Sequence, residues 1–405
     1  MNYDVIISGG GLLGLITAIG LSNGSVSVAV IEKNILPRVI DDNRAFAISQ
    51  GSKKILEKLG IWQFIESKAE LILDISILDG NSPVTVHYDH KMVGEEPMGY
   101  VINSATIWSA INNNFLNKLN IYSPHSYKTI AFDAGFVEVT LDNNRQLISS
   151  LLICAEGKNS KLPELFSIPV IKFDYKQSSI IFNVEHELHH QNLAVERFFP
   201  GGPFAILPMK GGHTSSIVWT EKSEISKMLM SLSEEGFIAE LKKRFGSYLR
   251  EIKLEGERKL YPLSFAFAKK LHKGRVFLIG DAAHSIHPVA GQGLNLGIRD
   301  VESTIRHITA AKASGIDVGS SYLLKRISRD RCFDNFTMAL TTDGLNRIFS
   351  NRIFCAKVLR NLGLMVVENS SFLKKHFIRH AMGLQKQKKL LDNLRRYPYH
   401  SNGGI

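Results

Sequence analysis

Cysteine is scarce: 3 residues among 405. Cys154, Cys332 and Cys355 lie too far apart for a CxxC pair or a metal-ligand spacing. That argues against a disulfide framework, a zinc module and a dithiol redox pair, and it fits buried thiols in a reducing compartment. No metal site is expected. No apolar run reaches the roughly 18–20 residues needed to span a bilayer. The opening stretch MNYDVIIS carries an acid and no basic n-region. No signal peptide is therefore expected, and the cytoplasm is the expected location, with membrane association at most peripheral. There is no RGG tract and no nucleic-acid motif, so nucleic acid is not an expected partner. A second GxGxxG is missing, and so is a CxxxxC pair, which sets the two-nucleotide disulfide reductases aside.

Acid is scarce at one end of the chain. From Ser321 to Ile405 there are 16 Lys+Arg and 5 Asp+Glu, whereas the first 320 residues hold 33 of each sign. The whole net charge of +11 thus sits in the last fifth of the chain. Within it, Phe372–Arg396 mixes Lys386, Lys388 and Lys389 with Phe372, Leu373, Phe377, Ile378, Met382, Leu384, Leu390 and Leu391. That is the composition of an interfacial amphipathic helix, and peripheral contact with an anionic membrane or a lipid-bearing partner is expected there.

What is present begins with Tyr3–Ser8, a short β-rich run. It is followed by Gly9-x-Gly11-x-x-Gly14, an apolar helical stretch to about Leu21, a second strand over Ser27–Ile31, and Glu32 at its end. Strand, glycine turn, helix, strand and acid is the order of a βαβ dinucleotide unit. The glycines allow the tight turn, the approach of a pyrophosphate and close helix–strand packing. The helix start supplies free N–H groups, and the acid receives ribose hydroxyls. Leu12, Leu13 and Lys33 flank these positions and are expected at the same site.

The second informative stretch is RVFLIGDAAHSIHPVAGQGLNLGIRD, Arg275–Asp300. An apolar strand ends in Gly280-Asp281, a loop carries Pro288, Gly291 and Gly293, and a helix starts near Gly293-Leu294-Asn295. This stretch resembles the second flavin-binding motif of the FAD-dependent aromatic hydroxylases, and within them the ubiquinone-biosynthesis hydroxylases. Asp41–Ser49, Glu196–Met209, Ser215–Thr220, Tyr261–Ala268 and Thr341–Ser350 resemble that family in the same order.

The resemblance implies FAD as cofactor. It gives Asp281 a hydroxyl of the ribityl chain. It places Pro288, Gly291, Gln292, Gly293, Leu294 and Asn295 against the isoalloxazine ring, with helix N–H groups aimed at the edge where reduced flavin is negative. Arg44 matches an arginine near the flavin in relatives. His284 and His287 flank the ring loop; a histidine there can relay a proton or serve structure alone. His287 and Gln292 are the catalytic candidates. His213, in a glycine-rich turn, is expected to be structural.

Three positions depart from the family. Glu156 and Pro163 stand where relatives carry Asp and Arg in A-D-G-x-x-S-x-x-R, and Ala105 stands where many carry Arg. The direct use of NAD(P)H, as against a redox protein, is open for that reason.

The implied fold is α/β, of the aromatic-hydroxylase type. A discontinuous Rossmann-like FAD-binding domain (1–70, 101–175 and 265–320) is interrupted by a sheet-based substrate domain (71–100 and 176–264). A helical basic region follows (321–405). The implied reaction is monooxygenation of a polyprenylated phenol or quinol with O₂ in ubiquinone biosynthesis, within a biosynthetic complex of that pathway. Two alternatives stay open: a flavin reductase of isoprenoid lipids on the same fold, and a non-catalytic lipid-binding member of a ubiquinone-biosynthesis complex.

Overall fold

The computed structural model describes residues 2–37, 44–80, 82, 84–349 and 364–384. Asp41–Asn43, Ser350 and the basic stretch Lys386–Arg396 lie outside them. Three sheets organise these residues. The first has a parallel core in the order Val276–Leu278, Gln146–Cys154, Tyr3–Ser8, Val28–Ile31 and Asn120–Tyr122. Its strands are near-continuous apolar runs because both faces of the sheet are covered, one by helices and the other, through Ile6, Ala29 and Ile31, by Val137, Val139 and Phe166. Val5, Ile7, Val28 and Val30 are accordingly buried with Leu15, Ile16 and Ile19 of the helix Leu12–Asn23.

The second sheet has eight strands and is mostly antiparallel. Its middle strands are Val170–His186, Thr214–Lys222, Gly202–Pro208 and Leu193–Phe199. Here alternation is strict. Ile180, Phe182, Phe204, Ile206, Ile217 and Trp219 form one face and bury against Phe237, Leu241 and Phe245 of the helix Glu234–Phe245. The intervening residues Ile181, Ala205, Leu207 and Val218 face the other way, toward the first sheet. The boundaries expected at 175 and 265 both fall inside long strands, Val170–His186 and Ile252–Ala268, whose ends pair with each other. Asp74–Asp79 and Thr85–Asp89 extend the same sheet at its far edge.

A small third sheet, Ala45–Ser49 with Gly99–Asn103 and Glu70–Ile72, fills the space between the two. The helix Gln292–Ala313 packs on Leu12–Asn23, and the long helix Ser321–Phe349 packs on Gln292–Ala313. The C-terminal helix Ser371–Ala381 does not keep its apolar residues on one free face. Ile378 and Met382 are buried in protein, while Phe372 is 79% exposed. Packing against the core thus takes part of the apolar face expected for an interface.

Candidate functional site

A cavity of about 520 Å³ lies between the first sheet and the inner face of the second. The glycine turn forms its floor. Gly9 has φ +112, and a Cβ there would sit 2.5 Å from the Ala155 carbonyl oxygen. A Cβ on Gly14 would sit 1.9 Å from the Gly9 carbonyl oxygen. These two glycines are demanded by the fold. At Gly11 and Gly293 the situation differs: no protein atom lies within 4 Å of an added Cβ, and both positions line the cavity. A glycine that the fold does not need, facing empty space, fits a bound group approaching the backbone.

At the end of the second strand Glu32 is buried. Its Oε2 accepts from the Gly10 N–H at 2.7 Å, and its Oε1 accepts from the backbone and side chain of Asn34. Lys33 next to it is exposed. Glu156, the family departure, has a definite place. Its Oε1 accepts from Ser8 Oγ at 2.5 Å and its Oε2 from Ser160 Oγ at 2.6 Å. It ties the middle loop to the end of the first strand and so holds Ala155 under Gly9. Pro163 is buried in the first turn of Leu162–Leu165, where its missing N–H costs nothing. The Ala105 N–H is capped by Asn103, and Trp108 of the same helix reaches the cavity wall.

Asp281 opens onto the cavity, and its carboxylate takes no hydrogen bond among the described residues. Protein encloses it on the other sides, and that desolvation raises its pKa, against the opposing pull of His284 and Lys158. It is not a helix cap, since Ile279 occupies that place. An acid exposed to the cavity, with no hydrogen bond among the described residues and its pKa raised by the protein around it, fits a hydroxyl-bearing ligand.

The loop that carries Asp281 is stapled from behind. Asp300 Oδ2 accepts from the Gly280 N–H at 3.1 Å and from His284 Nε2 at 2.5 Å. Its Oδ1 accepts from Arg331 Nε at 2.7 Å and from Asn335 Nδ2 at 3.3 Å. Burial alone would raise the Asp300 pKa, but His284 and Arg331 reverse that and hold it well below the usual carboxylate range. His284 is therefore structural, bonded to Asp300 and away from the cavity lining.

The ring helix begins at Gln292, with Gly291 as its cap at φ +63. Gly291, Gly293 and Leu294 line the cavity, so the positive end of a 22-residue helix dipole points into it. Asn295 is fully engaged elsewhere: Oδ1 accepts from the Ser49 N–H, and Nδ2 donates to the carbonyls of Ala47 and Gly291. It clamps the ring loop to the small sheet. Gln292 is half-buried at the helix start.

His287 lies one layer behind Pro288 and Ile286, which do line the cavity. It is fully buried, meets Gln177 Oε1 at 3.3 Å and packs edge-on against Tyr175. Desolvation lowers its pKa to about 4, so it is neutral at pH 7. The linkage follows from the sign of that shift: between 6.5 and about 4 the unfolded chain binds the proton and the folded one does not. Stability is then lost as pH falls through that window, by roughly 2–3 kcal/mol from this group. Denaturant unfolding at pH 7 and pH 4.5 should show this loss in the parent and a smaller one in His287→Gln. Equal losses in both proteins would remove His287 as the source.

The sequence did not assign the roof of the cavity to the site, although Glu196, Ala205, Leu207, Val218 and Tyr261 of the roof lie in its family-like blocks. Ser179, Ile181, Glu196, Ala205, Leu207, Val218 and Tyr261 line it, one face of a sheet whose alternation is legible only once pairing sets its orientation. Arg44 lies on the wall, its guanidinium 5.3 Å from the Tyr261 ring and 5.9 Å from Phe46. Lys158 joins it as a second cation, donating to the Pro262 carbonyl at 3.2 Å. Leu12 and Leu13 line the floor. Among the described residues no histidine or cysteine lines the cavity. Cys154 is buried beneath, its thiol pushed up to about 12 by desolvation, and is inert. Asp74, Asp89 and His90 approach one another at the far sheet edge, partly exposed and apart from this cavity. Open glycines, an acid with no hydrogen bond among the described residues, a glycine-capped helix start and mostly apolar walls bearing two cations together fit FAD.

The chain is similar to proteins of known activity and structure. The FAD binding domain family matches residues 2–316. Ubiquinone hydroxylase UbiL of Rhodospirillum rubrum is 38% identical over 95% of this chain and 90% of its own. The 3-demethoxyubiquinol 3-hydroxylase of Escherichia coli is 30% identical over 94% of this chain and 98% of its own. Among solved structures, p-nitrophenol 4-monooxygenase PnpA of Pseudomonas putida superposes with a TM-score of 0.76 at 20% identity, covering 94% of this chain and 98% of that one.

Proposed function

Because the chain belongs to the FAD-binding ubiquinone hydroxylases, we propose that it is a ring-hydroxylating monooxygenase of ubiquinone biosynthesis acting on a polyprenylated phenol or quinol. The observation that carries this reading is one cavity in which the cofactor turn, Asp281 and the ring helix meet the apolar face of a sheet. FAD, when bound, supplies the oxygen chemistry.

The chain's residues do the rest. Gly11, Gly293 and the N-terminal end of the ring helix would receive the cofactor's charged and polar edges, and Asp281 a hydroxyl of its polyol. Ile181, Ala205, Leu207, Val218 and Trp108 orient an aromatic ring and keep water from it. Buried and neutral, His287 has Nε2 near Gln177 and is placed to hold the ring loop.

The electron donor is NAD(P)H or a redox protein. Peripheral contact with anionic lipid belongs to the same proposal. The long helix turns Tyr322, Phe333, Phe336 and Leu340 to solvent together with Lys325, Arg326 and Arg329. Among the described residues no helix is long and apolar enough to cross a membrane.

Turnover under ¹⁸O₂ with a short-tailed substrate tests the reaction. One labelled oxygen is expected on the product ring, by mass spectrometry. A product formed without label would leave a reductase of the same fold. Binding without turnover by any donor would leave a lipid-binding member.

A further inference from the structure

Methionine is unevenly placed in this protein. Four of its nine methionines, Met92, Met98, Met209 and Met382, meet in one small apolar cluster. The three larger clusters under the sheets involve Met230 alone. The small cluster lies between the third sheet and the edge of the second, and Ile378 and Met382 of the C-terminal helix form one of its walls. Its other members include the small residues Ala45, Ala47 and Ala194.

The position of this seam gives it a role. Ala45, Ala47 and Leu207 belong both to the seam and to the wall of the flavin-side cavity. Val101 and Met209 belong both to the seam and to an open recess of about 590 Å³ edged by Lys68 and Lys210. The seam thus lies between the reaction cavity and the recess. Its own residues are apolar, whereas the recess beyond Val101 and Met209 is mostly polar and marks the solvent end. Methionine side chains are unbranched and adapt to irregular shapes, which suits a surface that must repack around a flexible guest. Alanine at the cavity end leaves room for one.

We infer that this methionine seam is the binding path for the apolar tail of the substrate, with the ring in the cavity and the tail running toward the Lys68–Lys210 recess. The inference rests on the reading of the substrate as a tailed aromatic. The C-terminal helix then belongs to the substrate site, because Ile378 and Met382 would touch the tail.

Two measurements test it on the FAD-loaded protein, and neither requires turnover. The first compares binding of a ubiquinone ring carrying two isoprene units with binding of the same ring without a tail, followed by flavin fluorescence. The tailed probe should bind at least about tenfold more tightly, since each buried CH₂ contributes substantially. Met382→Trp, which fills the seam, should collapse that ratio toward one, with FAD content reporting an intact fold. Met98→Ala, which widens it, gives a second variant should the tryptophan fail to fold, and it should shift the ratio in favour of a longer tail.

The second measurement uses a tail bearing a diazirine and maps the crosslinks by mass spectrometry. Label on peptides containing Met98, Met209 or Met382 is expected. Crosslinks confined to other segments, or a tail preference that neither variant alters, would overturn the inference even if the hydroxylase reading stands. Tail-dependent labelling of the seam without ring hydroxylation would uphold it while the hydroxylase reading fails.

Discussion

Gly11→Ala should give an apoprotein as stable as the parent, within about 0.5 kcal/mol, that binds FAD at least about tenfold more weakly. Gly14→Ala should give a protein that is destabilised before any cofactor is added. The two glycines belong to one motif and differ in what demands them. Gly11 sits at φ −72 and ψ 175, extended backbone open to any residue, and an added Cβ meets no protein atom within 4 Å. Its constraint comes from outside the protein.

Gly14 faces the Gly9 carbonyl, and the added Cβ would overlap it at 1.9 Å. Backbone must move there, at a cost of about 1–3 kcal/mol or more, and the turn loses its shape. Thermal or denaturant unfolding of the apoproteins, followed by FAD titration, separates the cases. A destabilised Gly11→Ala, or an unperturbed Gly14→Ala, would show that the turn is built differently.

Asp300→Ala is expected to cost about 1–3 kcal/mol of stability, because His284, Asn335 and the Gly280 N–H lose a buried acceptor while Arg331 keeps Asp334 at 2.7 Å. It should also weaken FAD binding, although Asp300 does not line the cavity. Its Oδ2 holds Gly280 and His284, the two ends of the loop that aims Asp281. A double variant, Asp300→Ala with Arg331→Met, tells these effects apart. Removing both charges should restore part of the stability, since a buried pair is often replaceable by apolar side chains and Asp334 keeps Arg299 at 3.0 Å. It should not restore FAD affinity, because the loop stays unstapled. Recovery of both together would mean that Asp300 acts on the cofactor only through global stability.

The strand, turn, helix and strand from Tyr3 to Ile31 were legible in sequence because each is a local pattern. An apolar run, three glycines at fixed spacing and an acid 23 residues after the first of them identify their own backbone without help from distant residues. The end of the Val276–Leu278 strand and the helix start at Gln292 were legible for the same reason, as was the position of Asp281 between them.

The tertiary structure decided what those residues do. His284 and His287 look alike in the sequence. Packing ties the first to Asp300 and buries the second behind the ring loop, since a carboxylate 16 residues away meets only one of them. Asn295 reads as a ring contact, yet its amide is spent on the small sheet and on the Gly291 carbonyl. Ile378 and Met382 read as membrane-facing because hydrophobicity has no address. Only the approach of the small sheet to the edge of the large one made a protein surface for them to cover. The roof of the cavity was hidden for a related reason. Alternation assigns residues to two faces of a strand, but only pairing of strands distant in sequence determines which face meets the cofactor.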